Sequence, residues 1–470
     1  MCDNSGSACY GDVKLIPVVL GMLVSKIAFE FLKVLNPTLH FQAGNLSSLP
    51  LPNILTLPLE ECNKKAISVS KADWDSFETS WDFTRLPLLQ PDYCQPTLKA
   101  TYQQLRAHWQ KITLEMQRLE EENNRIFIEV YGLQDELTPD VPLEEITLTC
   151  NPYYRYGKKP QIHTDKHRSE NQENICVNPC PSVVQKTFPK DKELEERLVA
   201  DTMKEFISYS VGCMFGRYAL EKPGLILANQ GETIDDYYKK LNEIQINTDE
   251  HGLENNKNNI RVNPCLSVVQ NLFPPDTDNV IPILDGDWFP DDITERFFKF
   301  LRVTFGDEHF EENLKFIEQA IGKTIRKYFL KDFYNDHVKR YKKRPIYWLF
   351  SSPKSSFNVL IYMHRYRPDT VSVVLNDYLR EFRAKLSSEK NRLEAVSISA
   401  SATAGEKTKA LKAIEKVNKI ITELEEYERE VLYPLATEQV EIDLDDGVKV
   451  NYPKFGKALK KIPGLSAKDN

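Results

Sequence analysis

Two stretches near the C-terminal end of the chain carry apolar residues at the three-or-four spacing of one helix face. They are joined by a Ser- and Ala-rich link at 397–405. A short link between two such stretches predicts a long antiparallel helical hairpin whose apolar stripes form a packing seam. The stripe residues are Leu375, Leu379, Phe382, Leu386, Leu393 and Val396 in the first stretch, and Leu411, Ile414, Val417, Ile421 and Leu424 in the second.

The remaining patterns predict a helix-rich α+β fold, with several small α/β subdomains beside the hairpin. Helices are expected over 13–35, from about Pro96 to Glu122 and from Asp291 onward. The acidic cluster Asp285, Asp287, Asp291 and Asp292 is compatible with a divalent cation, but it is expected to cap that last helix, because carboxylates are stabilised at a helix N-terminus.

Three other stretches have the composition of strands. Ile346–Phe350 and Val359–Tyr362, with a turn between them, predict a pair of strands. Residues 125–131 could form a strand or continue the preceding helix, and 143–149 alternates like a short strand. The basic C-terminal tail is expected to fray.

The bulk composition limits the function classes. A net charge of −8 means that nucleic-acid binding would require a local basic surface, because charges act over about 8–10 Å in salt. Lys26, Glu30 and Lys33 interrupt the apolar stretch 15–35, so its uncharged run is too short to span a bilayer, and the residues before it lack the basic start of a signal peptide. Nine cysteines without a CxxC pair favour a reduced, cytoplasmic protein.

The strongest local charge signal is the segment 323–344, which holds nine Lys and Arg residues against Asp332 and Asp336. Five aromatic residues are interleaved with them. Cations neutralise phosphates, and aromatic rings can stack on bases or anchor the helix to its domain. The alternative is a solvated helix face. We predict DNA contact through Arg326, Lys327, Lys331, Lys339, Arg340, Lys342, Lys343, Arg344, Arg365 and Arg367.

Two possible chemical sites are set aside. Asn151-Pro152-Tyr153-Tyr154 is similar to the Asn-Pro-Pro-Tyr motif of amino-methyltransferases, but Tyr153 replaces the second Pro and no Gly-rich loop follows an apolar strand to bind S-adenosylmethionine. We interpret it as a turn. An intact enzyme with these residues as a degenerate catalytic motif is a further hypothesis. His163, His167, Cys176 and Cys180 have spacings compatible with zinc, yet we assign no metal and no catalytic residue.

A near-identical sequence occurs twice, at 174–189 and 259–274. Each copy contains Val-Asn-Pro-Cys followed by Ser-Val-Val-Gln and Phe-Pro. The unit is too short for a solenoid repeat. A duplicated binding loop and a repetitive DNA element translated in frame are both consistent with it, and the second is favoured. Arg261 stands where the first copy has Cys176, so the repeat does not encode a metal site.

Six stretches together resemble one protein family. They are 31–42, 74–83, 124–133, 211–218, 285–289 and 344–353, including Trp74-Asp75-Ser76-Phe77-Glu78, Asp285-Gly286-Asp287-Trp288-Phe289 and Arg344-Pro345-Ile346-Tyr347-Trp348. Over about 13–465 the chain resembles the C-terminal region of the PglX family, the adenine-specific DNA methyltransferases of BREX type 1 phage-defence systems. The family lacks stretches corresponding to about 158–190 and 246–273.

The resemblance implies a DNA-recognition role, in which another domain binds S-adenosylmethionine and methylates adenine N6. The chain is then expected to be truncated, to need no cofactor itself, and to act on double-stranded DNA with a separately encoded catalytic half or other defence proteins. The alternative is a scaffold component of a defence complex that acts through the hairpin at 375–432.

This interpretation divides the chain into six segments. They are a remnant of the catalytic domain (1–60), a helical or mixed connector (61–157), a repeat-bearing loop (158–195), a mixed segment (196–245), a second repeat-bearing loop (246–280) and a target-recognition region (281–470).

Overall fold

A computed structural model describes residues 10–12, 14–36, 43–52, 58–157, 191–249 and 273–465. The chain divides into two compact units, and each unit combines two separate stretches. Unit 1 comprises Met1–Ser80 and Tyr102–Leu198, and unit 2 comprises Trp81–Thr101 and Val199–Asn470. The helix-rich α+β class is confirmed, while the six contiguous segments expected from the sequence stay predictions.

Unit 1 is built from helices. They are α1 (Ile16–Leu23), α2 (Lys26–Leu35), α3 (Ala43–Ser47), α4 (Glu60–Asp75), most of α5 (Leu98–Tyr131) and α6 (Pro152–Tyr156). The helix predicted over 13–35 is interrupted, because the Ser25 hydroxyl accepts a hydrogen bond from Ala28 N and starts α2 as its N-cap. Helix α5 continues through Tyr131, so residues 125–131 are helical.

The strand predicted at 143–149 is wrong. Leu143–Glu145 form a 3₁₀ turn, and the residues that follow form no ladder. The alternation reflects one-sided burial in an irregular segment, since Ile146 and Leu148 are buried beside Met116 of α5 and Cys150. An alternating pattern therefore marked which residues face the core but not the backbone conformation.

Unit 2 contains most of α7 (Lys192–Met214) and the later helices. They are α8 (Ile234–Asp249), α9 (Ile293–Phe305), α10 (Phe310–Ile321), α11 (Ile325–Tyr328), α12 (Tyr334–Arg340), α13 (Thr370–Val373), α14 (Glu381–Ile398), α15 (Ala404–Tyr427), α16 (Tyr433–Glu438) and α17 (Val448–Asn451). π-Helical turns lie at Phe329–Phe333, Val374–Arg380 and Glu428–Leu432. Asp292 caps α9 by accepting from Thr294 N and Glu295 N, as the acidic cluster predicted.

A three-stranded antiparallel sheet lies in unit 2. The strands β1 (Ile281–Pro282), β2 (Tyr347–Ser351) and β3 (Asn358–Tyr362) are ordered β1-β3-β2. The predicted strand pair is confirmed, with Tyr347 opposite Tyr362 and Ser351 opposite Asn358. All ten residues of β2 and β3 are buried, which the sequence shows as continuous apolar runs rather than alternation.

The outer edge of β2 is covered by the C-terminal segment. Ser351 N donates to Ala458 O at 3.0 Å, and Lys460 N donates to Leu349 O at 2.8 Å. Phe455, Leu459 and Ile462 are buried in the core of the sheet. The expectation that the tail frays is therefore wrong as far as residue 465, because its apolar residues pack against the sheet and its backbone hydrogen-bonds to β2.

The predicted helical hairpin is confirmed as α14 and α15. Thr403 and Glu406 form a capping box that starts α15 after a short link. Arg383 of α14 bonds Glu425 at 2.8 Å and also contacts Glu428. One stripe residue was placed wrongly: Leu411 is 59% exposed and the adjacent Ala410 is buried in its place.

Several predictions fall on residues outside the described ranges. They concern His163, His167, Cys176, Cys180 and nearly all of both repeat copies. Phe273, near the end of the second copy, is described and packs edge-on against Phe300 with ring centroids 5.3 Å apart. Among the described cysteines, Cys62, Cys150 and Cys213 are free while Cys94 is disulfide-bonded, which the expectation of a reduced protein did not anticipate. No described helix has the length and apolar character needed to cross a membrane.

Candidate nucleic-acid interface

The basic segment 323–344 forms one helical run, made of α11, a π-helical turn and α12, followed by a short loop into β2. Tyr328, Phe329, Phe333 and Tyr334 are all buried along one side of it. The Tyr334 hydroxyl lies 2.9 Å from the hydroxyl of Tyr452 in the C-terminal segment. These four aromatic residues therefore anchor the helix to unit 2 and do not present their rings for stacking on bases.

The opposite side of this helix and the loop after it expose cations. Lys327, Lys331 and Lys339 are exposed along the helix, and Lys342, Lys343 and Arg344 are exposed in the loop. We call these six residues the basic surface. Anchoring one face through aromatic residues leaves the charged face in solvent, where it can meet a polyanion without first breaking internal contacts.

The loop holds two consecutive lysines in an unusual backbone conformation. Lys342 and Lys343 have φ values of 49° and 63°, in the left-handed region that costs an L-residue about 1–2 kcal/mol. Hydrogen bonds from Lys342 N to Lys339 O and from Lys343 N to Val338 O hold this conformation. Glycine adopts this conformation without strain, so glycine would be the more stable residue at both positions. The chain has lysines there instead.

A buried histidine fixes α12 to the start of β2. His337 Nε2 accepts a hydrogen bond from Tyr347 N at 3.1 Å. Burial, with the nearby positive charges of Arg340 and Arg217, holds the pKa of His337 well below its usual range. The imidazole is therefore neutral near pH 7, as it must be to accept that bond, and the basic surface keeps its shape around neutrality.

Arg326, in contrast, is an internal structural residue. Its guanidinium donates to Leu284 O and Gly286 O at 3.2 and 3.0 Å, to Asp292 at 2.5 Å and to Asp287 at 2.6 Å. These acceptors belong to the loop that precedes α9. The arginine therefore ties α11 to that loop, and its donors are already used within the protein.

The other predicted arginines also have internal partners. Arg365 is buried and donates to Phe215 O, Asp276 O and Thr277 O at 2.8–3.3 Å. Arg367 is exposed but forms a two-bond ion pair with Asp369. Arg340 is half-buried, and its positive charge acts on Tyr328 and His337. Of the ten predicted residues, six are thus the exposed cations of the basic surface, Arg367 is exposed but paired with Asp369, Arg340 is half-buried, and Arg326 and Arg365 are used inside the protein.

A second group of cations, outside the predicted set of site residues, lies beside the first. Lys457, Lys460 and Lys461 are exposed on the C-terminal segment that covers β2, and Lys354 is exposed in the β2–β3 turn. A signal for them was present in the sequence. No Asp or Glu occurs in 337–368 or in 447–468, although these segments hold eight and six Lys or Arg residues.

The methyltransferase-like motif at Asn151 has a local structural role. The Asn151 side chain accepts from Tyr153 N, which caps α6, and donates to Leu143 O and Ile146 O at 2.7 and 2.9 Å. Its amide is used inside unit 1, and the motif forms the N-cap and first residues of a short helix rather than the turn expected from the sequence. The described residues contain no group of His, Cys, Asp and Glu side chains placed to hold a metal ion.

Comparison with known proteins identifies similar chains over almost the whole length. The adenine-specific methyltransferase BrxX of Escherichia coli O9:H4 (strain HS) is 32% identical over 483 residues, which cover 99% of this chain and 34% of the relative. The adenine-specific methyltransferase PglX of Lacticaseibacillus casei (strain Zhang) is 33% identical over 478 residues, covering 98% and 33%. The chain is PglX-like. This PglX-like chain spans about a third of the length of these relatives, and no family model matches it.

Proposed function

We propose that this PglX-like chain is the DNA-recognition portion of an adenine-specific DNA methyltransferase of a phage-defence system. The relatives carry the adenine-specific methyltransferase name. The observation that carries the proposal is the basic surface, six exposed cations displayed on a helix and loop whose other side is anchored by buried aromatic residues. In this proposal, methyl transfer from S-adenosylmethionine takes place outside this chain.

The chemistry of the basic surface fits duplex DNA. Lys and Arg side chains that contact phosphates release condensed counterions, which makes the affinity strongly dependent on salt. Such contacts set the position and orientation of a protein on the duplex, while base edges supply sequence information. The strain at Lys342 and Lys343 supports a functional role, because residues held in left-handed conformations cluster at binding sites.

Fluorescence anisotropy with duplex DNA over a series of salt concentrations tests the proposal. The triple variant K342Q/K343Q/R344Q should bind more weakly and lower the slope of log K against log salt by about 2.7, since each lost phosphate contact contributes about 0.9. The matched control is K409Q/K412Q/K416Q, which removes three exposed lysines from α15. Absence of binding even at low salt, or an equal effect of the control, would contradict the proposal.

A second candidate function, a scaffold component of a defence complex, rests on the far end of the hairpin. Ile398 is 82% exposed at the end of α14, and Leu411 is 59% exposed near the start of α15. Neither contributes to the seam between the helices. Co-purification with other defence proteins that is lost in I398S/L411S, and unaffected by K342Q/K343Q/R344Q, would favour this function.

A further inference from the structure

We propose that the C-terminal segment 457–465 belongs to the DNA-binding site and forms, with the loop 342–344 and Lys354, one continuous phosphate-binding strip along the edge of β2. This inference rests on the proposed function and names a part of the site that the basic helix does not include. Its occupant is the phosphate backbone of duplex DNA.

Backbone pairing places the segment along β2. Phe350 and Leu459 form an antiparallel bridge, flanked by the hydrogen bonds from Ser351 N to Ala458 O and from Lys460 N to Leu349 O. Because the pairing is antiparallel, residues after Lys460 run back towards the start of β2. The segment therefore leads from the β2–β3 turn to the loop that carries Lys342–Arg344.

Contacts at both ends join the segment to the other cations. At one end, the Lys343 ammonium lies over Gly464, so close that a Cβ added there would be 2.9 Å from Nζ. At the other end, Lys460 Nζ donates to Ser355 Oγ at 3.0 Å, next to Lys354. Cations from three separate parts of the sequence thus line the same edge.

The charge along this strip has one sign. The C-terminal and loop segments that form it lie within the two stretches of sequence without Asp or Glu, 337–368 and 447–468. The carboxylate that contacts the β2–β3 turn is Glu423, which is buried and accepts from Lys354 N and Ser356 Oγ at 2.7 and 2.6 Å. Its hydrogen bonds face the turn, so the exposed Lys354 ammonium remains available to an external anion.

The dimensions suit a DNA strand. The five residues of β2 extend about 17 Å at 3.3–3.4 Å per residue, and a DNA strand advances about 3.4 Å along the helix axis per phosphate. Because the phosphates also wind around the helix axis, a straight strip of this length faces only some of the phosphates within that distance, but more than one. This length exceeds what the loop 342–344 could contact alone.

The strip is also rigid before DNA arrives. Burial of Phe455, Leu459 and Ile462 fixes the segment, and the Tyr427 hydroxyl donates to Ala458 O at 2.8 Å. A preorganised backbone does not have to be ordered on binding, which removes an entropic cost that a frayed tail would carry. Only the lysine side chains lose freedom.

The test measures salt-dependent anisotropy with duplex DNA for K460Q/K461Q, and for K460R/K461R, which keeps both charges. The glutamine variant should reduce the slope of log K against log salt by about 1.8, and the arginine variant should leave it unchanged. K409Q/K412Q on α15 is the matched control, and thermal melting checks the fold. The single variant K461Q, expected to lower the slope by about 0.9, keeps the test decisive if the double variant melts early.

The outcomes separate this inference from the proposed function. Loss of binding in K342Q/K343Q/R344Q with an unchanged slope in K460Q/K461Q would overturn the strip and leave the proposed function standing. Unchanged binding in both variants would overturn both. An equal loss in K460Q/K461Q and K460R/K461R would also contradict the strip, because it would show that shape rather than charge matters there.

Discussion

The sharpest prediction concerns two arginines that the sequence could not tell apart. Arg326 and Arg367 both entered the predicted DNA-binding set, and each forms an ion pair with an aspartate. Arg326→Ala should destabilise the protein strongly without changing the salt dependence of DNA binding. Arg367→Ala is the control, because its ion pair has similar chemistry but lies in solvent.

The expected magnitudes follow from burial. The Arg326 side chain is 22% exposed and its partner Asp292 only 2%, whereas Arg367 and Asp369 are 62% and 50% exposed. Removing one partner of a buried pair leaves an uncompensated charge and costs about 3–5 kcal/mol. The residual exposure of Arg326 places its cost near the lower end, about 3 kcal/mol. An exposed pair contributes about 0–1 kcal/mol.

Urea unfolding monitored by tryptophan fluorescence measures both changes. Trp348 is fully buried in the sheet of unit 2, so its exposure contributes to the change in emission when that unit unfolds. The unfolding midpoint should fall markedly in Arg326→Ala and barely move in Arg367→Ala, with similar slopes for all three proteins. Equal midpoints for the two variants would refute the assignment of Arg326 as a structural residue.

Two further predictions concern pH dependence and backbone strain. Burial, together with Glu145 and Glu121, raises the pKa of Glu120 to about 7. An unfolded glutamate has a pKa near 4.5, so the free energy of unfolding should fall as the pH rises from about 4.5 to about 7. Glu120→Gln should flatten this decline. Urea unfolding at several pH values measures both. Lys343→Gly should raise the urea unfolding midpoint, since glycine relieves the strain at φ 63°, and should weaken DNA binding measured by anisotropy. A lower midpoint with unchanged binding would contradict this prediction.

Local patterns predicted the elements whose conformation is decided locally. The strand pair at 346–362 and the hairpin of α14 and α15 followed from apolar runs and helical spacing, and both are present. Burial set by distant partners was not predictable. Leu411 fits the helical stripe but is exposed because the neighbouring Ala410 faces the seam. The C-terminal segment looked like a frayed basic tail because its strand partner lies about a hundred residues earlier.

In the candidate site, too, local features were predictable and burial set by distant partners was not. A run of cations predicted the loop Lys342–Arg344, but the sequence could not distinguish an exposed cation from one satisfied inside the protein. The acceptors of Arg365 include Phe215 O, 150 residues away, and Arg326 reaches Asp292 over 34 residues. The sequence around each arginine gives no sign of acceptors that lie so far away along the chain. The aromatic residues among the cations were equally ambiguous until their burial was known.

The net charge of −8 and the proposed DNA binding are compatible because charge is segregated along the sequence and then gathered by the fold. Charges in salt act over about 8–10 Å, so the potential at the edge of β2 depends on its immediate neighbours. The cations of the strip come from two segments without acidic residues, and strand pairing between Leu349–Ser351 and Ala458–Lys460 places these segments side by side. The same hydrogen bonds that cover an otherwise open sheet edge also align the lysines. A single structural device can therefore protect the sheet from unwanted pairing and form the strip, which explains how a locally basic site can arise in an acidic chain.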